Sequence, residues 1–239
     1  MHGLSSKDPR CIHTVEEAVK LIDEIGFLPL FANDIPGFSL EERTVPKDWW
    51  SGNPKKDPWE WRVVIAREGK VAYGKFFEKK AGFVSLKWFP QFANLRRDGY
   101  DFDSLWDDEL ASRREKKIMD LFGEGGASEL LSPQIKEKAG FGKDGEKNFE
   151  GTLTDLQMQA YLCVKDFRQR INKKGEPYGW AVALYATPET MWGYDFVTGC
   201  YRKNKEESAQ AVAAQIRRYF PDVTDRQLKK IVVSQKAVL

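Results

Sequence analysis

Residues 146–186 read EKNFEGTLTDLQMQAYLCVKDFRQRINKKGEPYGWAVALYA, and the spacing of the apolar residues changes once along this stretch. In its first part Phe149, Leu153, Leu156 and Ala160 recur at helical spacing and share one face, which predicts a helix over 146–160. From Leu162 the period becomes two: Leu162 and Val164 alternate with Cys163, Lys165 and Phe167, and Tyr178–Ala186 does the same. The intervening Asn172-Lys173-Lys174-Gly175-Glu176-Pro177 is made of turn formers, so the two runs predict a β-hairpin. Upstream, Ser132-Pro133 opens a short helix that ends at Gly140, and Arg113–Phe122 is a helix closed by Gly123 and the Gly125-Gly126 pair. Three helices and a hairpin within residues 113–187 is the order of a winged helix-turn-helix, whose third helix can enter the major groove while the hairpin, or wing, touches backbone or minor groove. The predicted fold class is therefore mainly α with small β-hairpins (α+β), with winged helix-turn-helix units packed into one compact body.

The first half is less regular. Thr14 with Glu17 three residues later is a capping-box pattern that starts a helix burying Val15, Ala18, Val19, Ile22 and Ile25, and Gly26 ends it. Phe27–Phe31 is an apolar segment in which Pro29 disfavours helix, and Asn33–Pro58 reads as a long ordered loop pinned by Trp49 and Trp50. Asp57-Pro58 caps and opens the next helix, expected through Ala66. Val71–Phe77 reads equally as strand or helix, and Lys87–Arg97 reads as helix despite Pro90. The acidic stretch Asp101–Asp108 marks the expected boundary, giving a flexible tail over 1–13, a mainly helical domain over 14–107, the winged helix over 108–188 and a helical segment over 189–239. That last segment carries helices at Lys205–Tyr219 and Asp225–Ser234, the second capped by Thr224 with Gln227. No internal repeat is visible in the sequence.

Composition narrows the function. Of 239 residues 41% are hydrophobic and 31% charged, a globular balance, and eight Trp with fifteen Phe predict a core of large aromatics. No apolar run approaches the ~20 residues that span a bilayer, and Met1–Arg10 lacks a secretory apolar stretch, so a cytoplasmic protein with no membrane partner is expected. Cys11, Cys163 and Cys200 show neither a paired spacing nor histidine partners, so reduced thiols and no metal are expected. His2 and His13 both lie in or beside the tail, which leaves a Ser-His-Asp or Cys-His nucleophile without its base. Residues 140–145 match G-x-G-x-x-G by letter, but a helix rather than a strand precedes the glycines, so this is a helix-to-helix loop; no phosphate-binding P-loop occurs, and no cofactor is expected.

Two sets of residues carry chemistry. Asp57 and Glu60 flank Trp59 and Trp61, and a carboxylate beside indoles can act as a general acid or base, although the plainer reading makes Asp57 a helix cap and the indoles core. Arg168, Arg170, Lys173 and Lys174 cluster around the hairpin turn, where they would neutralise phosphates; the alternative is a solvated tip. The net charge of +2, from 38 basic and 36 acidic residues, requires any DNA-binding face to come from local segregation. Lys75, Lys79 and Lys80 form a second basic stretch, and Lys147 and Asn148 face out from the start of the third helix. Glu150 and Asp155 on that helix repel phosphate and point to packing rather than groove entry. Gln157 and Gln159, two residues apart on the same helix, face different sides and are not expected to act together.

Thr14–Phe31, Asp57-Pro58-Trp59-Glu60-Trp61-Arg62, Tyr73–Ser85, Leu156-Gln157-Met158 and Tyr178-Gly179-Trp180 together resemble the AlkZ-related proteins, a bacterial branch similar to the AlkZ/YcaQ winged-helix DNA glycosylases. The resemblance covers most of residues 14–195. It implies winged-helix-like units around a DNA-binding concavity and, in the true glycosylases, excision of alkylated or crosslinked bases. It also implies a Gln-apolar-Gln or Gln-apolar-Asp motif just after the first helix. The corresponding stretch here is Phe27-Leu28-Pro29, which can neither position a water nor stabilise a cationic sugar. The expectation is a winged-helix protein that binds double-stranded DNA, damaged or intact, and is linked to repair without glycosylase activity. The alternatives are a glycosylase with relocated carboxylates and a module that binds a protein partner.

Overall fold

The computed structural model describes residues 3–172 and 174–233. The chain is mainly helical with small antiparallel hairpins, the fold class that the sequence predicts, and its strands form two three-stranded sheets.

Helix α1 (Val15–Ile25) begins where the Thr14 hydroxyl accepts the Glu17 amide and ends at Gly26, whose φ of 92° is open to glycine and whose N–H closes on Ile22. The chain then extends as β1 (Phe27–Pro29), the conformation Pro29 favours, at the edge of a sheet where its missing N–H costs nothing. The long loop contains 3₁₀ turns at Glu41–Arg43 and Pro46–Asp48. Trp49 pins it, being buried with its indole N–H on Thr44 Oγ1 at 2.8 Å, whereas Trp50, expected to share that role, is exposed. Asp57 caps α2 (Pro58–Glu68). The ambiguous segment is strand β2 (Val71–Phe77), which turns tightly into β3 (Lys80–Ser85), and the sheet order is β1-β3-β2. Helix α3 starts at Phe89 and runs to Arg97, so Pro90 lies in its first turn, where it is tolerated.

After α4 (Phe102–Asp107), the second half follows the predicted order with one addition. Helix α5 (Arg113–Met119), closed at its start by the reciprocal Ser112–Glu115 box, is followed by a two-residue strand β4 (Leu130–Leu131). Then come α6 (Ser132–Lys138), α7 (Phe149–Met158) and the hairpin β5 (Cys163–Ile171) and β6 (Pro177–Ala186). Residues 140–145 form the α6–α7 connection, and α7 starts later than expected because Asn148 holds a left-handed φ of 63°. The sheet order is β4-β6-β5. Both sheets thus share one topology: a helix, a short strand, a further helix or helices, then a hairpin whose second strand pairs with the short strand. The repeat is architectural and leaves no trace in the sequence, which explains why none was legible there.

Residues 3–13, expected as a flexible tail, are instead laid on the loop through Leu4 N to Thr44 O and Ile12 N to Arg43 O, with Cys11 buried; His2 lies outside the described residues. The chain closes with α8 (Pro188–Trp192), α9 (Tyr194–Val197), α10 (Lys205–Tyr219) and α11 (Asp225–Leu228), which passes into a π-helical turn at Lys229–Val233 rather than a regular helix; Ser234 lies outside the described residues. Two apolar clusters form the core, and each draws residues from both sides of the expected 107/108 boundary. No described helix is long and apolar enough to cross a membrane.

Candidate nucleic-acid interface

The two hairpins face each other across a cleft of about 430 Å³. Its aromatic wall starts on α2, where Trp59 and Arg62 lie three residues apart and so share a face. The Arg62 guanidinium is sandwiched between the rings of Trp59 at 3.8 Å and Phe167 of β5 at 4.2 Å. Its Nε is buried and has no hydrogen-bond partner among the described residues. The ion pair of Arg67 with Asp166, at 3.0 Å, ties the same helix to β5. On the floor Tyr73 of β2 meets Phe167 ring to ring at 6.1 Å, joining the two hairpins. Burial pushes the Tyr73 phenol up to about 12, even with the Arg62 guanidinium against it.

Gln157 of α7 is the pivot beneath this floor. It is 1% exposed; its amide nitrogen donates to Leu153 O at 3.0 Å and its oxygen accepts the Lys75 N–H at 3.1 Å. Tyr185 of β6 also reaches this amide, and burial raises its phenol well above the usual range. Gln159 points elsewhere, to Glu115 at 2.8 Å, so the two glutamines are separated as their spacing predicts.

The rim is cationic. Lys75 Nζ donates to Thr154 Oγ1 at 3.2 Å, while Lys79 and Lys80 are exposed at the β2–β3 turn. That turn places Glu78 and Lys79 both at positive φ, 49° and 63°, the geometry of a two-residue hairpin loop normally filled by Gly or Asn. The Lys79 N–H on Met158 Sδ at 3.2 Å and the Lys79–Asp155 ion pair at 3.5 Å hold it against α7. Helix α7 itself is buried on most sides, including Thr152, Thr154 and Gln157, and packs on β2. It therefore fills the space between the sheets instead of offering a face to a groove. Lys147 and Asn148 are exposed before its first turn, with Lys147 Nζ turned back onto the Gly142 and Lys143 carbonyls.

On the β5–β6 hairpin, Arg168 is not a free cation: it shares the Glu129 carboxylate with Lys165, at 2.7 and 2.6 Å, and these partners hold the Glu129 carboxyl below its ordinary range. Arg170 and Lys174 are exposed and form no ion pair among the described residues, while Lys173 lies outside them.

The carboxylates raised as catalytic candidates are placed differently. Asp57 is 0% exposed, with its oxygens accepting the N–H groups of Trp50, Gly52 and Trp59 at 3.0, 3.0 and 2.9 Å. It caps α2 and clamps the preceding loop, and it does not line the cleft. Glu60 is half-buried and does not line the cleft. Phe27 and Leu28 are 0% exposed and Phe27-Leu28-Pro29 pairs with Val84, Phe83 and Gly82, so this stretch is core. Among the described residues no group of His, Cys, Asp and Glu could hold a metal ion. The floor residues Arg62, Tyr73, Gln157 and Tyr185 come from four separate elements, and only the Trp59–Arg62 spacing hints at them in sequence.

No curated protein matches the chain. Among solved structures, the Streptomyces sahachiroi DNA glycosylase AlkZ matches with a TM-score of 0.46 and 10% sequence identity, covering 93% of this chain and 60% of its own length. The chain thus spans 60% of the length of that protein. The family model described as AlkZ related matches residues 12–233, and the protein accordingly belongs to the AlkZ-related family.

Proposed function

We propose that the protein binds duplex DNA, in the service of repair, through the cleft between its two hairpins and without excising a base. The observation that carries this reading is that Lys75, Lys79 and Lys80 line the same cleft as Phe167, Ala181 and Ala183 of the wing. Arg62 and the basic stretch Lys75–Lys80 thereby border one concavity with apolar residues of the second hairpin, a local segregation of charge of the kind that a chain of net charge +2 needs in order to hold phosphates. On this reading residues 113–187 are a winged helix that uses its wing and leaves its third helix in the core. Arg170 and Lys174 with Lys79 and Lys80 contact backbone, and the aromatic floor faces the bases. Lys173 belongs to the same group by its place in the sequence, and Lys147 and Asn148 extend it. Membership of the AlkZ-related family supports a DNA partner.

Binding without excision is supported by the fate of the candidate groups: Asp57 is fully buried and holds three backbone amides, and the Phe27–Pro29 stretch has no polar side chain. The test is a fluorescence titration of labelled duplex at low and moderate salt. Affinity should fall steeply with salt, and replacing Arg168, Arg170, Lys173 and Lys174 together by Ala should weaken it. Salt-independent binding, or no effect of the four substitutions, removes the assignment. Base release from alkylated duplex by the wild-type protein would overturn the non-excising part alone.

A further inference from the structure

The far end of the wing shows an arrangement that backbone neutralisation does not require. Arg168 pairs with Val182 and Arg170 with Tyr178, so Gln169 alone on β5 faces the longer run Gly179-Trp180-Ala181 on β6. The ladder is broken at this point by a bulge. Gly179 takes a left-handed φ of 62°, and the Gln169 amide bridges the break by donating to Tyr178 O at 3.0 Å and Gly179 O at 2.8 Å. Bulges re-aim side chains. Trp180 lies inside this bulge and is left 87% exposed.

An indole held in water forgoes the stabilisation that Trp49 and Trp61 obtain in the core. Tyr178 and Ile171 are exposed on the same hairpin, and among the described residues of this tip the charged side chains are Arg170, Lys174 and the acid Glu176, Arg168 being paired with Glu129. Cations outnumber the acid, and Ala181, the residue after Trp180, already lines the cationic cleft. A flat aromatic on a cationic ribbon beside a lysine-rimmed cleft has the chemistry to stack on a nucleobase while its neighbours hold the flanking phosphates.

Resting on the DNA-binding reading above, we infer that Trp180 is a stacking wedge that directs the protein to duplex DNA containing an unstacked base, such as a single-base bulge or gap. In an intact duplex the wedge must first separate stacked pairs, which costs free energy at each step. Where the stack is already open, that cost is absent and the indole's stacking is gained. The preference therefore resides in Trp180, while the affinity common to all duplexes resides in the cations.

The experiment compares the full chain, wild type, Trp180→Ala and Trp180→Phe, on a labelled duplex and on the same duplex carrying one bulged 2-aminopurine. Wild type should bind the bulged duplex about tenfold more tightly and quench the 2-aminopurine. Trp180→Ala should lose both while binding the intact duplex within about twofold of wild type, and Trp180→Phe should keep part of each. Equal affinity of wild type for the two duplexes, or a preference that survives Trp180→Ala, overturns the wedge and leaves DNA binding standing. Failure to bind either duplex overturns both readings. Binding to phosphatidylserine vesicles that depends on Trp180, without a bulge preference, assigns the tip to a membrane surface and overturns the wedge.

Discussion

The Arg97 guanidinium of α3, 1% exposed, is paired with the Glu189 carboxylate of α8. Around this pair the guanidinium also donates to Ala160 O, at the α7–β5 junction, and to the Tyr201 hydroxyl, and it lies 4.4 Å from the Tyr161 ring. One buried cation thus joins the first half, the α7–β5 junction and the C-terminal helices. Burial opposes its charge, and Glu189 with the tyrosines outweighs that, leaving its affinity for the proton above the usual arginine value.

A buried ion pair adds little over a well-packed apolar substitute, but removing one member strands the other. Glu189→Gln is therefore expected to destabilise the fold by about 3 kcal/mol, read as a lower urea midpoint. Arg97→Met with Glu189→Leu should cost less than Glu189→Gln alone. A Glu189→Gln midpoint equal to wild type would show that the pair does not join these elements.

The shared carboxylate of Glu129 gives a pH prediction. Lys165 and Arg168 hold its carboxyl below the ordinary value of 4.5, so the ionised form is the one the fold favours. This contribution is complete above the unfolded-state value and disappears as pH falls through the lower folded-state value. Glu129→Gln should remove it at neutral pH and flatten that part of the acid limb of stability. It should also release Arg168 and Lys165 and tighten duplex binding a few-fold at pH 7; weaker or unchanged binding would place Arg168 outside the contact surface.

The three thiols should separate by reactivity. Burial pushes Cys163 far above the thiol range and raises Cys11 as well, whereas Cys200 is partly exposed. Because the thiolate is the reacting species, native protein should be alkylated at Cys200 before Cys11 and Cys163, with Cys163 reacting on unfolding. Peptide mass spectrometry after timed labelling reads this directly. Fast modification of Cys163 in native protein would contradict its burial.

What the sequence made legible was local. The Phe149–Ala160 periodicity, the Thr14, Asp57 and Thr224 caps and the 172–177 turn each specify their element through neighbours a few residues away, and those elements form. The first sheet escaped notice because β1 is three apolar residues, indistinguishable by period from any short buried run, and a long loop separates it from its partner β3. The cleft was illegible for a different reason. Tyr73, Gln157 and Tyr185 look like separate core residues until β2, α7 and β6 pack together, and the Glu129–Arg168 contact spans 39 positions, so no local pattern warns that a wing cation is partly neutralised.

The lysines at the cleft offer the sharpest test of which cations meet phosphate, because they are not equally available. Lys75 Nζ is engaged by Thr154 and Lys79 by Asp155, while Lys80, one residue past the turn, is exposed. Each cation that displaces a counterion contributes about 0.9 to the slope of log affinity against log salt. Lys80→Ala should therefore lower the slope by about one, whereas Lys79→Ala, its charge already offset by Asp155, should lower it by less. Asp155→Asn, which frees Lys79 without adding a charge of its own, should raise affinity at low salt and lose that gain as salt increases. If all three variants keep the wild-type slope, phosphate does not enter this cleft, and the basic rim exists to hold the β2–β3 turn against α7.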